Sequence, residues 1–107
     1  MPFYCDVSGN AEEDVERQAL YIAEHNVNAA LKFMDCASLS FNFLTDNPYA
    51  GSVYKVVVPG VNEIRRWHVK EFTDYLIFYQ VLVEENRLII HRVLHGMRDI
   101  GSLLDDL

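Results

Sequence analysis

The 107-residue sequence predicts an α+β fold over one domain, residues 1–107: an antiparallel αα-hairpin packed on a mostly antiparallel sheet of four to five strands. Three observations predict it. Two β-rich runs, 75–83 and 87–94, are joined by the polar loop Glu84-Glu85-Asn86 and read as an antiparallel hairpin. Ahead of them lie two stretches whose apolar residues recur at helical spacing, separated by only a few residues. Half of the residues are hydrophobic, enough for a chain of this length to bury one core without disulfides or metals.

Residues 3–7 (FYCDV) form a short β-prone run that Ser8-Gly9-Asn10 stops. Asn10 with Glu13 three residues on resembles a capping box, and Glu12, Glu13, Asp14 and Glu16 suit the solvated, positive end of a first helix. Val15, Ala19, Ile22 and Ala23 set its buried stripe, and it should stop near His25-Asn26. Asn26 or Asn28 caps a second helix with Ala30, Phe33, Ala37, Phe41 and Leu44 along one face, ended by Asn47-Pro48. Phe33, Met34, Phe41 and Phe43 are read as packing residues. After the loop NPYAGS come strands over 53–58, stopped by Pro59-Gly60, and over 64–69, where alternation sends Arg65, Trp67 and Val69 to one side and Ile64, Arg66 and His68 to the other. The hairpin over 75–94 is apolar enough for central strands covered on both faces, and a short helical turn is expected over 102–107.

The formal charge of -7 is unevenly spread. Residues 1–50 hold two Lys/Arg against eight Asp/Glu, whereas residues 65–98 hold six against four. An acidic body with one mildly basic region is unsuited to strong direct nucleic-acid binding, because phosphate affinity grows with the number of basic contacts. The start of the sequence has no basic region followed by an apolar segment, and no run reaches the roughly 20 apolar residues of a membrane span, so a cytoplasmic protein is expected. Cys5 and Cys36 fit no zinc or CxxC spacing and read as free thiols. His91 and His95 would lie roughly 13 Å apart along a strand, too far to share an ion. Walker A, GxGxxG and GxSxG motifs are absent, and neither a metal nor a cofactor is expected.

The segment AEEDVERQALYIAEHNVNAALKFMD, the loop NPYAG, and then IRRWHV, DYLIFYQV and RVLHGMRD, in this order, resemble the ParE/RelE superfamily of toxins from bacterial type II toxin–antitoxin systems. The resemblance spans roughly 7–104, and the ending RVLHGMRD is similar to the ParE branch. It implies a compact β-αα-βββ fold and growth inhibition. ParE-like members poison DNA gyrase and RelE-like members cleave mRNA in the ribosomal A site. In the RelE pattern an arginine commonly follows the tyrosine of the motif matching DYLIFYQ; here that residue is Leu76. The C-terminal acid/base residue often found in that branch is also missing, since GSLLDDL holds no Tyr, His or Lys.

The resemblance thus implies a gyrase-directed toxin neutralised by a cognate antitoxin, in a toxin–antitoxin hetero-oligomer. Arg65 and Arg66, taken to lie on the sheet edge, with His95 and Arg98 at the hairpin exit, are the expected partner-binding residues. The alternative is a ribosome-dependent interferase with His95 as acid/base and Arg65, Arg92 and Arg98 at the phosphate; another is a non-toxic, antitoxin-binding member. Each residue also has a plainer reading: Arg98 paired with Asp99, His95 bonded to backbone, and strand arginines lying over apolar neighbours. The antitoxin is expected along the groove between helices and sheet, apolar at its centre, with basic residues near 12–16.

Overall fold

The computed structural model describes residues 3–58, 62–98 and 100–104. Their element order is β1 (Tyr4–Val7), α1 (Gly9–Ala23), α2 (Val27–Asp46), β2 (Ser52–Val58), β3 (Asn62–Val69), β4 (Phe72–Leu82), a 3-10 turn at Val83–Glu85, β5 (Arg87–His95) and α3 (Ile100–Leu103). The expected Pro59-Gly60 stop and residues 105–107 of the expected last turn lie outside the described residues. The five strands run in the order β1-β5-β4-β3-β2, antiparallel throughout except for the parallel pair β1 and β5. The α+β fold with a helix pair on a mostly antiparallel sheet is as expected.

Local sequence explains most boundaries. Asn26 caps α2 by accepting a hydrogen bond from Ala29 N–H, and Asn47 closes it. Asn86 takes the left-handed conformation (φ 51°) that ends the 3-10 turn and starts β5. The start of α1 differs from expectation. Its cap is Ser8, not Asn10: Ser8 Oγ accepts from Ala11 N–H at 3.1 Å and also donates to His91 O at 2.9 Å. That second bond is tertiary, and it fixes the cap two residues earlier than the local pattern suggested.

The main core lies between the helix pair and the sheet, where Phe33 and Leu44 of α2 meet Ile77, Tyr79, Ile90 and Val93. A smaller cluster on the opposite face gathers Ile64, Phe78, Leu94 and Leu104 under α3. β5 contributes to both because His91 is a one-residue bulge: Phe78 pairs with Arg92 but Tyr79 with Ile90. The bulge inverts the alternation, so Leu88, Ile90 and Val93 face the helices, whereas Leu94 lies in the other cluster. Met34 and Phe43, read as packing residues, are instead 42% and 43% exposed. Phe33 is fully buried and Phe41 partly so.

β1 covers β5 only as far as Ile90. Beyond it, side chains of α1 take over the strand's open backbone. Val93 N–H donates to Asp14 Oδ2 at 3.0 Å, and Gln18 Nε2 donates to Val93 O at 2.7 Å. With Ser8 on His91 O, α1 closes the edge that β1 leaves open, which removes a template for unwanted strand pairing.

Candidate functional site

The structure disperses the expected site residues. Arg65 and Arg66 are not on the sheet edge, because β2 pairs outside β3. The two also point to opposite faces, as successive strand residues must. Arg65 donates to Gly51 O at 2.7 Å, pairs with Glu63 at 3.3 Å and lies 5.0 Å over the Tyr49 ring. It thereby clamps the loop after α2. Arg66 lies 5.8 Å over Tyr54, whose ring meets Phe78 edge-on. At the hairpin exit, His95 Nδ1 accepts from Met97 N–H at 3.1 Å and the ring stands edge-on to Tyr75 at 5.0 Å. Arg98 is exposed, and its expected partner Asp99 lies outside the described residues.

Arg92 has a different task from the one expected at a phosphate. Its Nε and Nη2 reach the two oxygens of Asp14 at 2.7 and 2.8 Å, a bidentate pair, and Nη1 reaches Leu103 O at 3.3 Å. Asp14 is fully buried, which corrects the reading of residues 12–16 as a wholly solvated first turn. The hydrogen bonds that Arg92 donates to Asp14 raise its pKa above the usual value, against the opposing effect of burial. Arg92 therefore ties β5 to α1 through the ion pair and to α3 through the Leu103 carbonyl. A signal for it exists in the sequence: Asp14 falls three residues after Ala11 and four before Gln18, on the inward side of α1, while Arg92 interrupts an apolar strand.

Two apolar surfaces flank α2. On its α1 side, two adjoining clefts of about 400 and 350 Å³ share Glu16 and Met34. Val15 and Phe41 line one, and Leu20, Val27 and Leu31 line the other. Leu20, Val27 and Leu31 are more than half exposed, too much adjoining apolar surface to be scattered by chance. Glu12, Glu16 and Asp35 line the same clefts, giving this surface a negative border. Sequence reasoning assigned these residues to a helix but missed how much of its apolar face stays open.

On the sheet side of α2 lies a separate cleft of about 420 Å³, lined by Leu39, Ser40, Phe43, Trp67, His68, Lys70 and Glu71. Glu71, at the β3–β4 turn, has φ 65° although it is not glycine. Its carboxylate is held by Lys32 at 3.0 Å and accepts from Cys36 Sγ at 3.6 Å, and the Lys32 contact keeps its pKa below the usual carboxylate range. Burial raises the Cys36 thiol, so it is not an activated nucleophile. Among the described residues no group of three or more His, Cys, Asp or Glu could hold a metal, and no helix is long and apolar enough to cross a membrane.

A family model described as the ParE toxin of a type II toxin–antitoxin system, ParDE, matches residues 6–100. Among solved structures, a chain of the toxin–antitoxin complex RelBE2 from Mycobacterium tuberculosis aligns with a TM-score of 0.54 and 19% identity, covering 89% of this chain and 99% of that one. At that identity the likeness is one of fold. No curated protein sequence matches.

Proposed function

Because the chain belongs to the ParE toxin family of type II toxin–antitoxin systems, we propose that it is a toxin directed at DNA gyrase and silenced by a cognate antitoxin. The observation that carries the choice of target is the engagement of Arg92. A nuclease of the RelE type needs cations free to stabilise charge building on a phosphate. Arg92 is committed to Asp14 and Leu103, and Arg65 to Gly51 and Glu63. Leu76, which stands where the RelE pattern has an arginine, packs against the cluster beneath α3. Of the four residues expected at a phosphate, only His95 and Arg98 remain uncommitted, which favours the gyrase-directed reading.

The function is then one of binding, and the α1–α2 clefts suit the antitoxin. Their apolar floor and the border of Glu12, Glu16 and Asp35 favour an amphipathic segment with an apolar stripe between basic residues. Expression without antitoxin tests the target. Double-strand breaks that disappear in a gyrase mutant are expected. Growth arrest with intact chromosomes and cleaved mRNA would overturn the assignment.

A further inference from the structure

We propose that the cleft between α2 and the β3–β4 turn is an anchor pocket for the antitoxin, taking a large apolar side chain flanked by carboxylates, with Lys70 as the carboxylate's partner. The proposal rests on the toxin–antitoxin reading above and adds a second contact of opposite charge character to the α1–α2 clefts.

The pocket has an apolar wall that the fold leaves uncovered. Trp67 stacks on Phe43 at 5.6 Å and 14°, and on His68 at 4.7 Å and 18°. Consecutive strand residues ordinarily point to opposite faces, so two stacked neighbours require a local distortion. It is present: the β3–β4 register slips between His68 and Val69, where irregular pairing increases twist. Leu39 and Phe43 of α2 complete the wall and are 52% and 43% exposed.

The turn bearing Lys70 is fastened to α2. Lys70 N–H donates to Ser40 Oγ at 2.9 Å, and the buried Ser40 hydroxyl donates to Cys36 O at 2.7 Å. Glu71 keeps its left-handed conformation while bound to Lys32 and Cys36. The two-residue turn between Val69 and Phe72 requires that positive φ, and the two side-chain contacts hold the turn against α2. Glu71 is paired with Lys32, and the Lys70 ammonium, which also acts on Glu71 at longer range, makes no ion pair within 4 Å among the described residues. A positive charge stands beside an aromatic recess in a protein of net charge -7.

The signs select the occupant. A basic segment is favoured over the clefts bordered by Glu12, Glu16 and Asp35 and disfavoured at Lys70, and the reverse holds for an acid-flanked anchor. An antitoxin crossing α2 is therefore fixed in direction, with its basic part on the α1 side and its acidic anchor on the sheet side.

Trp67 is the only tryptophan, so its fluorescence reads the pocket directly. The probes are acetyl-Glu-Leu-Glu-amide and acetyl-Lys-Leu-Lys-amide, neither of which contains tryptophan. A saturable change in emission is expected with the acidic peptide, at least about tenfold weaker with the basic one, and the preference should invert in Lys70→Glu. Lys70 is exposed, so this variant retains the fold. No response, or equal responses in wild type and variant, would overturn the pocket. In cells, co-expression of the cognate antitoxin should relieve growth arrest by the wild type and fail to relieve it for Lys70→Glu at matched expression. Equal relief of both would reject the anchor while leaving the toxin–antitoxin reading intact. If the wild type arrests no growth, that reading falls and the proposal with it.

Discussion

Asp14 accepts hydrogen bonds from Arg92, from Val93 N–H and from Arg17, so a neutral replacement strands several groups at once. Its side chain is 1% exposed and that of Arg92 15%, which leaves little water to compensate. Asp14→Asn is expected to cost about 3–5 kcal/mol, the usual penalty for breaking a buried pair, measured as a lowered urea midpoint. Arg17→Ala should cost almost nothing, because Arg17 is 58% exposed and 3.5 Å from the carboxylate. Gly51 is sensitive for a steric reason. An added Cβ would sit 2.6 Å from Arg66 O and 2.7 Å from Tyr79 Oη, the hydroxyl that binds both Gly51 N–H and Pro48 O. Gly51→Ala should therefore destabilise by roughly 1–3 kcal/mol in the same assay. The sequence marked Gly51 only as a loop residue, and its steric role appears only with its tertiary neighbours. Asp14 was read as one of four acids, although its spacing from Ala11 and Gln18 places it on the inward side of α1.

The elements themselves were more legible, for reasons of periodicity. α2 announces itself because Ala30, Phe33, Ala37 and Leu44 keep helical spacing and are all buried. The β4–β5 hairpin is equally plain in its extent, but not in its facing. Arg87–His95 (RLIIHRVLH) carries no regular alternation, and the adjacent polar pair His91-Arg92 breaks the period without showing which of the two is the bulge, so the inversion at His91 was not legible. The side chain at that bulge supplies an element-scale prediction. His91 hydrogen-bonds Gln80 Oε1 at 3.1 Å across the hairpin, and burial lowers its pKa below 6.5, with Asp6 acting in the opposite sense. With the folded value depressed, the unfolded chain binds more protons just below pH 6.5. Stability is therefore greatest above that pH, falls as the pH drops toward the folded value, and levels off beneath it. Urea midpoints measured across this range should show the fall, and His91→Gln should flatten it. An unchanged slope in the variant would assign the effect to the carboxylates instead.

At the scale of the whole molecule, strand order was the property least available from sequence. The β2–β3, β3–β4 and β4–β5 pairings are local, but the parallel placement of β1 beside β5 joins segments far apart in the chain. The pairing of β2 outside β3 moved Arg65 and Arg66 from a supposed edge into the sheet, and with their side chains alternating to opposite faces, as the sequence already indicated, they share no surface. The outer face of the helix pair leaves Leu20, Val27 and Leu31 more than half exposed, in the half of the chain with charge -6 from two Lys/Arg against eight Asp/Glu. Leu31 lies there at 58% exposure, so Leu31→Asp should leave the free toxin's stability unchanged. Docking of an antitoxin's apolar stripe would bury that side chain, and the lost contact is worth about 1.5–3 kcal/mol, or a tenfold to hundredfold weaker complex. Binding of the wild type should weaken as salt is raised, since the bordering acids are exposed and screened. Calorimetry at two ionic strengths separates the contributions: the Leu31 penalty should persist at high salt, whereas the contribution of Glu12 and Glu16 should shrink. A Leu31→Asp complex as tight as the wild type would place the antitoxin elsewhere on the molecule.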